Sequence, residues 1–208
     1  MILPFTYPWI IKRHLAGCKN ILDVGCGDGS FLAKINSEKL FNAIGVDLFE
    51  PYVKKARRLS AYKKVIKKDV MKISFKSGSF DVVHTSQLIE HLEKKEGLKL
   101  IEIMEKIAKN KVVIGTPNGH FHQDSYDENK LQEHKSSWSE RDFRKLGYKC
   151  YGQALKFIYG EKGLLETNTA KKFTILRPIL FCLSYFLSPI SYFIPKLGAH
   201  IVAVKEID

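Results

Sequence analysis

Between residues 19 and 116, short runs rich in valine and isoleucine alternate with segments of helical periodicity, and this alternation is what most restricts the fold. Strands that alternate with helices pair side by side in parallel, with the helices covering both faces of the sheet. Strands covered on both faces read as near-continuous apolar runs. Asn20 to Val24, Ala43 to Asp47, Lys64 to Lys68, Phe80 to Thr85 and Lys111 to Thr116 read in this way. Phe31 to Asn36, Glu50 to Leu59 and Glu96 to Ala108 supply the helices, the last with Leu98, Ile101 and Met104 along one apolar face. Beyond residue 117 a polar loop, Asn118 to Ser137, leads into a short helix started by Ser139. Tyr148 to Leu155 and Ala199 to Glu206 are expected to close the sheet as a pair of strands.

The first strand, Ile21 to Val24, runs into Gly25-Cys26-Gly27-Asp28-Gly29 and then a helix. Glycines at such a turn let the backbone bend sharply and approach a ligand closely at a helix N-terminus. A second acid, Asp47, closes the next strand twenty residues after Gly27, where a carboxylate can accept both hydroxyls of a ribose. A dinucleotide site asks for a further glycine at position 30, and the chain has Ser30 there. Asp23, just ahead of the loop, would repel a pyrophosphate and attract the ammonium group of a methionine moiety. S-adenosylmethionine (SAM) carries that cation and no phosphates. Asp23 can also serve as a structural carboxylate that caps loop amides, and the two roles are compatible.

The stretches ILDVGCGDGSFL, GVDLFEPYVKKAR, KKDV and FDVVHTSQLIEHL together resemble the class I SAM-dependent methyltransferases, in particular the type 11 group, from about residue 15 to residue 117. The resemblance implies a Rossmann-like doubly wound α/β fold: a seven-stranded sheet, mostly parallel with an antiparallel last strand, as a single domain over residues 1–208. It implies that Asp23, Gly25, Cys26 and Gly27 hold the methionine end of SAM, that Asp47 holds the ribose, and that Leu48 lies against the adenine. Asp69 and Val70 match the motif that meets the adenine edge, and Ser86 and Gln87 fall beside the reacting methyl. S-adenosylhomocysteine is then the product. The chain reads His84-Thr85-Ser86-Gln87 where enzymes acting on exocyclic amines of nucleic-acid bases carry an Asn/Asp-Pro-Pro-Tyr/Phe signature, which disfavours that chemistry. Glu90-His91-Leu92 matches a common tripeptide of the family, with His91 on the cofactor side or in a structural role and a general base as the alternative.

A base helps methyl transfer if the acceptor is a hydroxyl or an acidic carbon, and histidine has a suitable pKa. The loop after the fifth strand offers His120, His122 and His134. In the type 11 group a His, three residues, then a Trp precede a helix ending in Leu-Gly-Tyr, as His134, Trp138 and Leu146-Gly147-Tyr148 do here. His134 is the candidate catalytic residue, with pinning of the loop as its alternative role, and His122 and Trp138 are candidate substrate contacts. His120, His122 and Asp124 have a spacing that metal ligands also use, but two alternate histidines in a loop do not define a site, and no metal is assigned.

The segment Lys156 to Leu197 interrupts the closing strands, and its stretch Phe173 to Pro195 is nearly all apolar. Length alone allows a bilayer span. Pro178 and Pro189 break the run, however, and a span would strand Ala199 to Glu206 on the wrong side of the membrane from its sheet. A hairpin of two short helices is expected, acting as a cap that admits an apolar or membrane-resident substrate, as an interfacial anchor flanked by Lys171, Lys172, Arg177 and Lys196, or as a dimer contact. Simple packing on the core is the plainer alternative. The net charge of +12 favours anionic partners, with RNA or protein acceptors as the rival to a small or lipid-like one. A binding module that keeps the cofactor site without turnover is a further rival. Cys18, Cys26, Cys150 and Cys182 show no close pairing of the zinc or redox kind, and Met1 to Ile11 lacks a basic residue ahead of its apolar part, so a reduced cytoplasmic setting is expected.

Overall fold

The computed structural model of the protein describes residues 2–125, 127–161, 163–166 and 176–207. Its strands are β1 (Asn20–Val24), β2 (Asn42–Asp47), β3 (Lys64–Lys67), β4 (Phe80–Ser86), β5 (Ala108–Pro117), β6 (Lys149–Leu155) and β7 (Gly198–Glu206). They form one seven-stranded sheet in the order β3-β2-β1-β4-β5-β7-β6. Pairing is parallel from β3 through β5, and β7 runs antiparallel to both of its neighbours. The order reverses around β1 and β4. In such sheets the crevice beyond the strands' carboxyl ends at that reversal is where ligands sit.

Successive residues of the central strands face opposite sides, so each strand feeds two cores. Ile21, Val82 and Val113 pack with α1 (Tyr7–Leu15) and α2 (Ser30–Ile35), whereas Leu22, Val83 and Val112 pack with α4 (Lys94–Ile107) and α5 (Glu140–Lys145). A smaller cluster sets Val53 and Ala56 of α3 (Glu50–Ala56) on Val65 and Cys26. Periodicity does not announce α1, because prolines stand before and within its start. Pro8 nonetheless suits a first turn, where its missing N–H is one the helix leaves unbonded anyway.

The buried stripe of α4 is Gly97, Leu100, Ile101, Met104 and Ile107, and the expected Leu98 is turned outward. The cause is Trp138. Its indole sits directly on Gly97, where a Cβ would lie 2.5 Å from the ring. Trp138 is 1% exposed, stacks on Phe143 at 5.5 Å, and donates its Nε1–H to the Ile89 carbonyl and to Ser136 Oγ, while the Lys94 ammonium lies 3.6 Å from its ring centre. Ser139 caps α5 and Asp142 reciprocates, as the sequence of that turn implies.

In the insertion, α6 (Lys156–Tyr159) is followed by α7 (Leu176–Phe186) and α8 (Ser188–Phe193). Lys171, Lys172 and Phe173 lie outside the described residues. Gly152 of β6 leaves room for the Ser191 carbonyl, so α8 lies flat on the sheet, and Tyr192 packs against Phe5, Trp9 and Tyr151. No helix among the described residues is long and apolar enough to cross a membrane.

Trp138→Ala removes a fully buried indole and is expected to destabilise the fold by about 3–5 kcal/mol. A urea denaturation midpoint unchanged from the parent protein would contradict this placement.

Candidate active site

The three glycines of the loop after β1 all adopt positive φ: 71° at Gly25, 55° at Gly27 and 79° at Gly29. L side chains avoid that region. A Cβ at Gly25 would strike Leu88, whereas one at Gly27 would meet nothing within 4 Å, so the loop presents bare backbone to open space at Gly27. Asp47, at the end of β2, holds the loop in place. Its Oδ2 accepts the Gly27 N–H at 2.8 Å and its Oδ1 accepts the Phe49 N–H at 2.9 Å. Burial raises the pKa of this carboxyl, opposed by those same amide donors. Each oxygen keeps a second lone pair for another donor.

Asp23 does not cap loop amides. It is nearly sealed in the sheet, with Oδ1 2.8 Å from His84 Nδ1 and Oδ2 accepting the Tyr62 hydroxyl at 2.6 Å. The Tyr62 phenol is pushed well above its ordinary pKa by burial and by Asp23, which keeps it a donor. Sequence reasoning missed both partners. His84 had a visible signal, a histidine inside the apolar run Val82-Val83-His84-Thr85; Tyr62 had none. Asp69 turns its carboxylate onto the Met71 N–H at 2.9 Å and starts a short 3₁₀ turn, and Val70 is buried behind it.

Asp23, Asp47 and Asp69, with Gly25 and Gly27 of the loop, border a cavity of about 920 Å³ at the carboxyl ends of β1 to β4. Asp23, Gly25, Cys26, Gly27, Asp47, Leu48, Asp69, Val70, Ser86, Gln87 and His134 all contribute to its wall. His122 and Trp138 do not. His122 is an exposed loop residue 3.3 Å from Asp124, and Trp138 belongs to the core, so a spacing along the chain that puts both near His134 puts neither at the cavity. Among the described residues of the insertion, none from 176 to 197 lines this cavity, because α8 is held on the far part of the sheet over β6. Those residues therefore do not cover the cavity. Lys196 and Leu197 instead border a smaller cavity of about 430 Å³ with His120 and Phe121.

Tyr7 and His200 join the wall from outside the motifs. Tyr7 of α1 places its hydroxyl 2.7 Å from Ser86 Oγ and accepts from Gln87 Nε2 at 3.1 Å. It fits only because Gly115 of β5 has no side chain there. Burial lifts the phenol's pKa above its usual value. His200 of β7 packs edge-on to Tyr7 at 5.8 Å, with its pKa lowered to about 4 by burial. His91, lowered to about 4 for the same reason, meets His134 edge to face at 4.8 Å. His134 does pin its loop: its Nδ1–H donates to the Phe121 carbonyl at 2.6 Å, and its ring still reaches the cavity. Behind them, burial raises the Glu90 carboxyl to about 7; its Oε2 accepts the Thr116 hydroxyl.

A cradle of bare glycine backbone between acids at the ends of β1, β2 and β3 fits a nucleoside-type cofactor without phosphates, and the comparisons with known proteins agree. Residues 21–111 match the family model described as "Methyltransferase domain". Over that segment, which is less than half of the chain, the protein is similar to a methyltransferase domain. It is 31% identical over 136 residues to ajmaline N-methyltransferase of Rauvolfia serpentina, an alignment covering 62% of this chain and 44% of that enzyme. Norajmaline N-methyltransferase of the same plant is 31% identical over 96 residues, covering 43% of this chain and 32% of that enzyme. The chain thus spans less than half the length of these relatives. The fold is shared with a SAM dependent methyltransferase from Archaeoglobus fulgidus at 19% identity and a TM-score of 0.58, covering 96% of this chain and 94% of the other. It is also shared with the methyltransferase domain of bacterial CtHen1, at 15% identity and a TM-score of 0.62, covering 99% and 100%.

Asp47→Ala is expected to weaken S-adenosylhomocysteine binding at least about tenfold in calorimetric titration, since the variant loses a charge-assisted acceptor and the anchor of the loop. His200 supplies a pH test. Its folded pKa lies below the unfolded value of about 6.5, so the native state binds fewer protons in between. Its stabilising contribution is whole above about 6.5 and is lost as pH falls toward 4. His200→Gln should flatten the decline in stability between pH 7 and 4.5, and an unaltered decline would count against the buried neutral ring.

Proposed function

We propose that the protein transfers a methyl group to an oxygen or carbon of a small or lipid-like acceptor. The reading rests on the two-sided wall of the 920 Å³ cavity: glycine backbone and three acids on one side, His91 and His134 on the other. When bound, SAM supplies a methyl group on an electron-poor sulfonium. Asp23, Gly25 and Gly27 would hold its methionine end, Asp47 the ribose, and Leu48, Asp69 and Val70 the adenine. The chain's own contribution is alignment and exclusion of water, for which a wall built from strand ends is well suited. Tyr7 and Gln87 brace the end of β4, where the methyl is expected. His134, whose Nδ1 is committed to the Phe121 carbonyl, turns its other ring nitrogen to the acceptor.

The exposed apolar side chains of α7 and α8, among them Phe181, Phe186 and Phe193, belong to a segment that also carries the cations Arg177 and Lys196. That composition suits a face resting on an acidic membrane surface, and it is why a lipid-like acceptor is included. A nitrogen acceptor is the second reading, motivated by the names of the two plant relatives.

Incubation with methyl-labelled SAM and a cell extract separated into lipid, small-molecule, RNA and protein fractions tests the assignment. Label in the lipid or small-molecule fraction, reduced by at least about tenfold in His134→Gln with S-adenosylhomocysteine affinity retained, is the expected result. Label confined to RNA or protein would overturn the acceptor class, and full turnover by His134→Gln would overturn the role of that residue.

A further inference from the structure

Beside the cofactor half of the cavity, three side chains converge in a way that methyl transfer by alignment alone does not require. We propose that Glu90, His91 and His134 form a binding site for a divalent first-row transition cation, whose open coordination position faces the acceptor. One ligand atom from each residue lies within 4.8 Å of the others. The spacing is what a single ion bound by two imidazoles and a carboxylate needs, after small side-chain adjustments.

The orientation of the two rings carries the argument further. His91 Nδ1 is 3.2 Å from the Glu133 carbonyl oxygen and His134 Nδ1 is 2.6 Å from the Phe121 carbonyl oxygen. A carbonyl oxygen only accepts, so each Nδ1 carries the proton. In the neutral ring Nε2 is then the lone-pair nitrogen. Metal-binding histidines are typically set in this way, with the far nitrogen donating to a backbone carbonyl that fixes tautomer and ring angle.

Glu90 gives an independent indication. It is 2% exposed, its Oε2 takes the Thr116 hydroxyl, and its Oε1 is buried with no hydrogen-bond partner among the described residues. An unpaired carboxylate oxygen in such a place is costly, and a cation removes the cost. The frame is stiff. The Glu90 carbonyl accepts the amides of Lys135 and Ser136 at 2.8 and 3.0 Å, which clips the loop bearing His134 to the turn bearing Glu90 and His91. His91 and His134 line the cavity, so a site with three protein ligands leaves its remaining positions toward that space.

Two nitrogens and one oxygen favour zinc, manganese, cobalt or iron over magnesium or calcium, which prefer all-oxygen sites. The substrate class follows: an acceptor that offers an oxygen as a ligand. This last step rests on the proposed acceptor side of the cavity; the existence of the metal site does not. It also gives His134 a more definite task than direct contact with the acceptor.

The test uses the untagged protein, stripped with a chelator and titrated with cobalt(II) while visible absorbance and heat are followed. One equivalent is expected to bind with absorption bands of a mixed nitrogen and oxygen site. His134→Gln and Glu90→Gln should each weaken binding at least about tenfold. His122→Ala, in the exposed loop outside the cavity, should not. S-adenosylhomocysteine affinity, measured on the same samples, shows that each variant is folded and separates this proposal from the cofactor reading. Absence of cobalt binding by protein that binds S-adenosylhomocysteine overturns the metal site and leaves the methyltransferase reading intact. Cobalt binding unaffected in both folded variants overturns it equally. If one variant fails to fold, the other decides.

Discussion

The glycine-loop end of the cavity hangs from β1, which pairs in parallel with β2 on one side and β4 on the other. That pairing brings three strand ends into one plane. Asp47 can then reach across to the Gly27 amide from β2, while His84 reaches Asp23 from β4. The glycine loop is thus tied down from β2, and the acid ahead of it from β4. A slip of one residue in either register would turn Asp47 or His84 to the opposite face. The positive φ values of the loop persist because backbone and side-chain hydrogen bonds from β2 fix both its start and its middle.

The wall bearing His91 and His134 is organised by a different device, a loop folded back on a turn. Residues 118–138 begin and end at the Gly119 and Trp138 bridge, and the Ile89 and Glu90 carbonyls collect donors from Ser136, Trp138 and Lys135. Trp138 is the plug that keeps this arrangement shut against α4. The result is a long connection that is nonetheless well anchored at both ends, as functional loops of this length often are.

Much of the fold was legible because its signals are local. The strands, the glycine loop and Asp47 depend on spacings of a few to twenty residues, and Ser139 with Asp142 states the start of α5 outright. The unread parts are side chains joined over long separations. Tyr7 meets Ser86 across 79 positions and Tyr62 meets Asp23 across 39, and neither pairing leaves a periodic trace. Trp138 and His122 lie away from the cavity for the converse reason: a motif records distance along the chain and not which way the loop turns each residue. The insertion was legible as two short helices, but its seat on β6 depends on Gly152, a single missing side chain.

Tyr7 has a consequence for how the molecule can be divided. The segment that matches the family, residues 21–111, carries nearly all of the cofactor wall and none of Tyr7, His134 or His200. Those three come from the first helix, the loop after β5 and the last strand, so the cavity closes only when the two extremes of the sequence have met. Occupancy by a ligand is therefore coupled to the folding of the entire sheet, and a tight binder acts as a thermodynamic lock on elements it never touches.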